Sequence, residues 1–98
     1  MTEFELRDQI IEFLHKKGIM AWKDPKPAFK PGKRAFRGSN GTPDIIGWLK
    51  DGTFLGIEVK TPEGVLSEAQ KKFQERGQSD GCMMFVARSL DDVLRRFI

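Results

Sequence analysis

The chain contains a single cysteine, Cys82, and a single histidine, His15. One thiol excludes an internal disulfide framework, and one thiol with one imidazole cannot assemble a zinc site of the usual Cys/His kind. Any metal bound here must be held mainly by oxygen, which favours Mg²⁺, Mn²⁺ or Ca²⁺. Apolar runs reach only a few residues, so no transmembrane helix is expected, and the acidic start does not read as a signal peptide. A reducing, cytoplasmic setting is the expectation. Length is scarce too: 98 residues allow one domain, 1–98, with room for one small site. The net charge of +3 is too small by itself to name nucleic acid as a partner.

What is present suffices for a folded core. A hydrophobic fraction of 39% with ten glycines brings the chain near globular usage, so disorder is not expected. Leu6, Ile10, Phe13 and Leu14 recur at helical spacing, and Lys16, Lys17 and Gly18 supply a basic last turn and a stop, predicting a helix over about residues 3–17. Ile19 to Trp22 is a short apolar run that suits a strand. Asp24 to Asn40 collects three prolines and two glycines and reads as a long loop. Ile45–Leu49 and Phe54–Val59 flank Lys50-Asp51-Gly52-Thr53, a strong hairpin signal. Ser67 caps a second helix, with Gln70 completing a capping box and Gly77 and Gly81 bracketing its end. Cys82–Ala87 reads as a buried strand, and Ser89 with Asp92 opens a short last helix with Leu90, Leu94 and Phe97 as its apolar positions. The order predicts one mixed β-sheet flanked by helices.

Charge is unevenly placed. Residues 23–37 carry Lys23, Lys26, Lys30, Lys33, Arg34 and Arg37 against Asp24 alone, a local balance of +5 on a body of −2. Phe29 and Phe36 are interleaved, either for stacking on bases or for packing beneath the loop. The segment reads as a phosphate-contacting footprint, or as a solvated loop that happens to be basic.

Chemistry concentrates in Gly41-Thr42-Pro43-Asp44 and Ile57-Glu58-Val59-Lys60. If the hairpin turn closes with Leu49 facing Thr53, Asp44 falls opposite Glu58, where strand partners lie about 5 Å apart at Cβ. A two-residue Asp51-Gly52 turn would shift that register and rotate one strand's faces. Paired carboxylates repel each other unless a cation lies between them. Lys60, two residues beyond Glu58, projects from the same face. Hard oxygen ligands suit a divalent ion that polarises a phosphoryl oxygen, and a lysine can orient water or stabilise developing charge. Taken alone, Glu58 and Lys60 would equally suit an exposed pair on an edge strand. Glu3 shares the buried stripe of helix one, either as a solvated terminus or as a ligand, while Glu5 falls on the wet face. Gln70 shares an inward stripe with Leu66, Phe73 and Gly77, either directed to the site or turned back on its own helix. Trp22, Trp48, Phe85 and Phe97 suit core or contact.

Glu3, Gly41-Thr42-Pro43-Asp44, Ile57-Glu58-Val59-Lys60 and Leu66-Ser67-Glu68-Ala69-Gln70 together resemble the successive motifs of the virus-type replication-repair nuclease (VRR-NUC) domain of the PD-(D/E)XK superfamily. The resemblance runs from helix one to Ala87-Arg88-Ser89-Leu90-Asp91-Asp92, as in the stand-alone form found in phage and bacterial proteins. It implies an α/β, restriction-endonuclease-like mixed β-sheet flanked by helices, with an αβββαβ core. It also implies Mg²⁺- or Mn²⁺-dependent hydrolysis of phosphodiester bonds in DNA. Asp44, Glu58, the Val59 carbonyl and Glu3 would then hold the metal, Lys60 would serve the attacking water, and Gln70 would support the site. The basic loop is not part of the signature; Lys26, Lys30, Lys33, Arg34 and Arg37 are candidate DNA contacts from their charge alone. Stand-alone members imply a homodimer that cuts branched DNA such as Holliday junctions, in DNA repair. The rivals are a non-catalytic nucleic-acid-binding module and a sequence-specific restriction-type nuclease. Acids placed where phosphate must sit count against the first, and the short chain leaves little room for the base-reading element of the second.

Overall fold

The computed structural model describes residues 1–25 and 41–97. Elements follow the order α1 (Glu3–Lys16), β1 (Met20–Lys23), β2 (Ile45–Trp48), β3 (Phe54–Val59), α2 (Glu68–Ser79), β4 (Met83–Ala87) and α3 (Leu90–Leu94). The four strands form one mixed sheet in the order β1-β2-β3-β4, with β1–β2 and β2–β3 antiparallel and β3–β4 parallel. This is the mixed sheet with flanking helices that the sequence predicts. The basic and aromatic residues between Lys26 and Asn40, including Lys30, Lys33, Arg34 and Arg37, lie outside the described residues.

Side-chain alternation divides the sheet into two unlike faces. Odd-numbered residues Ala21, Ile45, Leu55, Ile57, Val59, Phe85 and Ala87 join Leu6, Ile10 and Leu14 of α1 and Val93 of α3 in the buried core. Ile10 and Leu14 are fully buried, each contributing roughly 1.5–3 kcal/mol by leaving water. The core stripe of α3 is centred on Val93, whereas Leu90 and Phe97 pack only partly against it. Phe85 is therefore core, while Trp22 and Trp48 are exposed on the opposite face.

The hairpin register follows the first of the two turns that the sequence allows. Leu49 N–H donates to Thr53 O and Gly52 N–H to Leu49 O, both at 2.9 Å, and Gly52 takes φ +90°. A three-residue loop with glycine in the left-handed region closes the turn, and Ile45 pairs with Ile57. Asp51 braces it by accepting from Thr53 N–H at 2.9 Å, which holds its carboxyl below the usual range.

The second helix packs on the other face. Its capping box is formed in both directions, Ser67 Oγ accepting from Gln70 N–H and Gln70 Oε1 accepting from Ser67 N–H. Gly77 lies inside the helix rather than at its end, and a Cβ there would strike the Met84 side chain on β4. Close packing of helix on strand, not termination, is what this glycine serves. The most buried residue of α2 is Gln74, which the stripe of Leu66, Phe73 and Gly77 did not indicate.

Candidate active site

Three elements converge at the end of β3. Register carries Asp44 to the position opposite Glu58, since Ile45 pairs with Ile57 one step along the ladder. Asp44 Oδ2 accepts from the backbone N–H of Val59 at 2.9 Å, which fastens the acid after Pro43 to the neighbouring strand. In an antiparallel ladder the N–H and C=O of one residue point to the same side, so the Val59 carbonyl faces the β2 side as well. Gly41 opens this segment at φ +81°, and a Cβ on it would run into the backbone carbonyl of Ala69. The approach of α2 to Asp44 thus depends on a residue with no side chain.

Glu58 is 2% exposed, an unusual setting for a carboxylate. Its Oε1 accepts from Gln70 Nε2 at 3.0 Å, while Oε1 of the same Gln70 holds Ser67 N–H at 2.8 Å. The two roles that the sequence left as alternatives for Gln70 coexist. One end of the amide caps the helix and the other reaches the acid.

Lys60 continues β3 from Glu58, its N–H donating to Ala87 O at 3.1 Å. Its side chain lines a cavity of about 310 Å³ with Glu3, Gln9, Thr61 and Arg88. Glu3 also lines a smaller crevice of about 30 Å³ with Asp44 and Val59, so it borders both hollows. Its Oε1 lies 3.4 Å from Thr61 N–H, a long contact. Glu5 is instead engaged in the N-terminal capping box of α1, exchanging hydrogen bonds with Thr2. The spacing Thr2-x-x-Glu5 is a readable sign of that role in the sequence.

Two residues near the site were not singled out by their sequence pattern. Arg88 Nη1 donates to the carbonyls of Thr61 at 2.8 Å and Gly64 at 2.6 Å, tying down the loop that leaves Lys60. Gln74 lies one turn beyond Gln70, 6% exposed, and neither polar atom of its amide has a hydrogen-bond partner among the described residues. Gln78, one turn further on, donates to Met84 O at 2.9 Å. A row of three glutamines thus runs along α2, and apolar periodicity reaches Gln70 but passes over Gln74 and Gln78.

Among the described residues, no group of three or more His, Cys, Asp or Glu could by itself hold a metal ion. Mg²⁺ does not require such a cage: it keeps several waters and binds through one or two carboxylates together with substrate phosphate. Two carboxylates on adjacent strands with a nearby backbone carbonyl fit that habit, as they do not fit a zinc or thiolate centre.

The family model of the VRR-NUC domain matches residues 2–91. The chain belongs to the VRR-NUC family. A solved structure described as a VRR-NUC domain is 21% identical, covering 98% of this chain and 97% of its own, with a TM-score of 0.71. At that identity the likeness is one of fold. No curated protein matches the chain. VRR-NUC membership makes this a nuclease domain of the PD-(D/E)XK type. Among its described residues no helix is long and apolar enough to cross a membrane.

Proposed function

We propose that this VRR-NUC domain is a Mg²⁺- or Mn²⁺-dependent endonuclease that hydrolyses phosphodiester bonds in branched DNA. The observation that carries the reading is Asp44 opposite Glu58 at the end of β3, with Asp44 bonded to Val59 N–H, Gln70 donating to Glu58, and Lys60 two residues further along the chain. A carboxylate as buried as Glu58 with a second acid, Asp44, opposite it is costly for stability alone, and the pair suits a site that takes up a cation and a phosphate together.

Asp44, Glu58 and the Val59 carbonyl would hold the ion, with Glu3 as a further acid at the border of the two hollows. A divalent ion in such a place polarises the phosphoryl oxygen and lowers the pKa of water. The Val59 N–H keeps Asp44 in place, and the Gln70 amide fixes the orientation of the Glu58 carboxylate. Lys60 orients the attacking water or steadies the charge that develops on the phosphate oxygens, and Arg88 keeps the loop after Lys60 from moving the ammonium. Lys26, Lys30, Lys33, Arg34 and Arg37 would grip the DNA backbone.

A domain of this size offers little surface for a branched substrate. A symmetric dimer would place two cutting sites across one junction. The setting would be the cytoplasm of a bacterium or of a phage-infected cell.

A cleavage assay over four-way junctions, flaps and linear duplex, with and without Mg²⁺ and alongside a solution mass, tests the reading. Metal-dependent cutting of branched DNA that disappears in Lys60→Ala while binding persists is expected. Equal cutting of random linear duplex would refute structure selection, and a fully active Lys60→Ala protein would refute the site.

A further inference from the structure

On its outer face the sheet is covered by α2 only over the β3–β4 half, where Gly56, Gly77 and Met84 pack together. The β1–β2 half has no helix over it among the described residues. Its even-numbered side chains stand in water: Met20 is 53% exposed, Trp22 40%, Trp48 46%, and Phe54 at the start of β3 41%. The two indoles meet edge to face, with ring centroids 5.6 Å and planes 80° apart.

The patch is continuous with the candidate site. Met20 pairs with Trp48, Trp22 with Ile46, and Trp48 with Phe54. Directly paired residues share a face, so these side chains emerge on the face that carries Glu58. The row of Trp22 and Ile46 lies two residues from Asp44 along β2, about 7 Å at the usual strand rise.

Size and charge indicate the occupant. The exposed parts of the four side chains amount to roughly 400 Å², about half of the ~800 Å² that each partner of a stable protein interface contributes. A flat aromatic ligand needs far less. Lys23 follows Trp22 directly, and the sequence that continues from it carries Lys26, Lys30, Lys33, Arg34 and Arg37 against Asp24 alone, a charge that attracts an anionic backbone to the domain. Exposed indoles in a chain with such a basic stretch are the usual equipment for stacking single-stranded bases.

We infer that Trp22 and Trp48 form a stacking platform for an unpaired base of the DNA substrate. The inference takes its ligand from the nuclease reading and adds a physical source of selectivity. Bases at a branch leave the helix and present a π face at little cost, whereas bases within intact duplex must first be unpaired and unstacked.

The chain has two tryptophans and no tyrosine, so its intrinsic emission reports directly from this patch. The full chain is titrated in EDTA with a thymidine oligonucleotide and with a blunt-ended linear duplex. Quenching by the single strand and little change with the duplex are expected. Trp22→Ala and Trp48→Ala should each weaken single-strand binding by about 5- to 100-fold and leave duplex binding unchanged, with Trp22→Phe recovering most of the loss. Emission indifferent to a bound single strand would overturn the platform. So would a shift with protein concentration before any DNA is added, which puts a second copy on the patch. Indoles shielded from acrylamide in the free protein would overturn it too, with the chain's own segment as the cover. Because metal is absent throughout, a chain that stacks bases yet never cuts would refute the nuclease reading and leave the platform standing.

Discussion

Gln70 is bound to Glu58 through its amide nitrogen and to the start of its own helix through its amide oxygen, at 3.0 and 2.8 Å. The placement of a buried acid and the beginning of α2 are thus one arrangement. Gln70→Ala should lose a capping partner and a hydrogen bond to a charged group, a destabilisation of about 2–4 kcal/mol in urea unfolding, with cleavage reduced in parallel. Gln70→Glu keeps the acceptor for Ser67 but sets a second carboxylate against Glu58. It should be the less stable variant at neutral pH, and Mn²⁺ should recover part of its melting temperature.

Glu58→Gln separates stability from chemistry. The amide oxygen can still accept from Gln70 while the buried charge is removed, so in EDTA the variant should melt at or above the parent temperature. Cleavage should vanish, and the rise in melting temperature that Mn²⁺ gives the parent should shrink with it. Asp44→Asn should lose cleavage and Mn²⁺ affinity together. Unchanged calorimetric Mn²⁺ affinity in both variants would contradict the ligand roles.

Lys60→Ala should lower the cleavage rate by on the order of 100-fold or more, the usual contribution of a positioned proton-handling group. DNA affinity measured in Ca²⁺ should change little, because one contact among many is lost.

Arg88→Lys is not a conservative change. All three contacts to the Thr61, Pro62 and Gly64 carbonyls come from Nη1 at the far end of the rigid guanidinium, one bond beyond where a lysine ammonium reaches. Amide exchange over residues 61–64 should accelerate, and cleavage should fall while the core amides of β3 keep their protection.

Replacing Lys30, Lys33 and Arg34 by Gln should weaken DNA binding and reduce the slope of log K against log salt by up to about 3. An unchanged slope would remove this segment from the interface.

Periodicity and turn chemistry made most of the fold legible. The stripe of Leu6, Ile10 and Leu14, the Asp51-Gly52 turn and the Ser67 capping box lead to α1, the hairpin and α2, whereas the turn left two registers open and the folded hairpin takes the one that sets Asp44 opposite Glu58. One expectation failed and two residues were passed over, each for its own reason. Gly77 suggests an end of α2 because glycine commonly stops helices, yet here it makes room for Met84. Gln74 is passed over because a polar residue is presumed to face water, although it sits at the centre of the packed face of α2. Arg88 gives no local signal, since its partners are more than twenty residues away in the chain. The residues of the candidate site stood out by spacing, but the double engagement of Gln70 depends on how close α2 comes to β3, which no single segment determines.

The position of β3 has a mechanical consequence. It is bonded to strands on both sides, sends its odd residues into the core and carries Glu58 on the other face. Opening it would mean unfolding the domain, so the groups proposed to cut are tied to the slowest motion the molecule has. Among the described residues β1 is an edge strand and carries Trp22 at the sheet's margin. Changes there can retune what the domain grips while the cutting end stays as it is. The fold thus separates a fixed anvil from an adjustable rest, and both lie on one sheet.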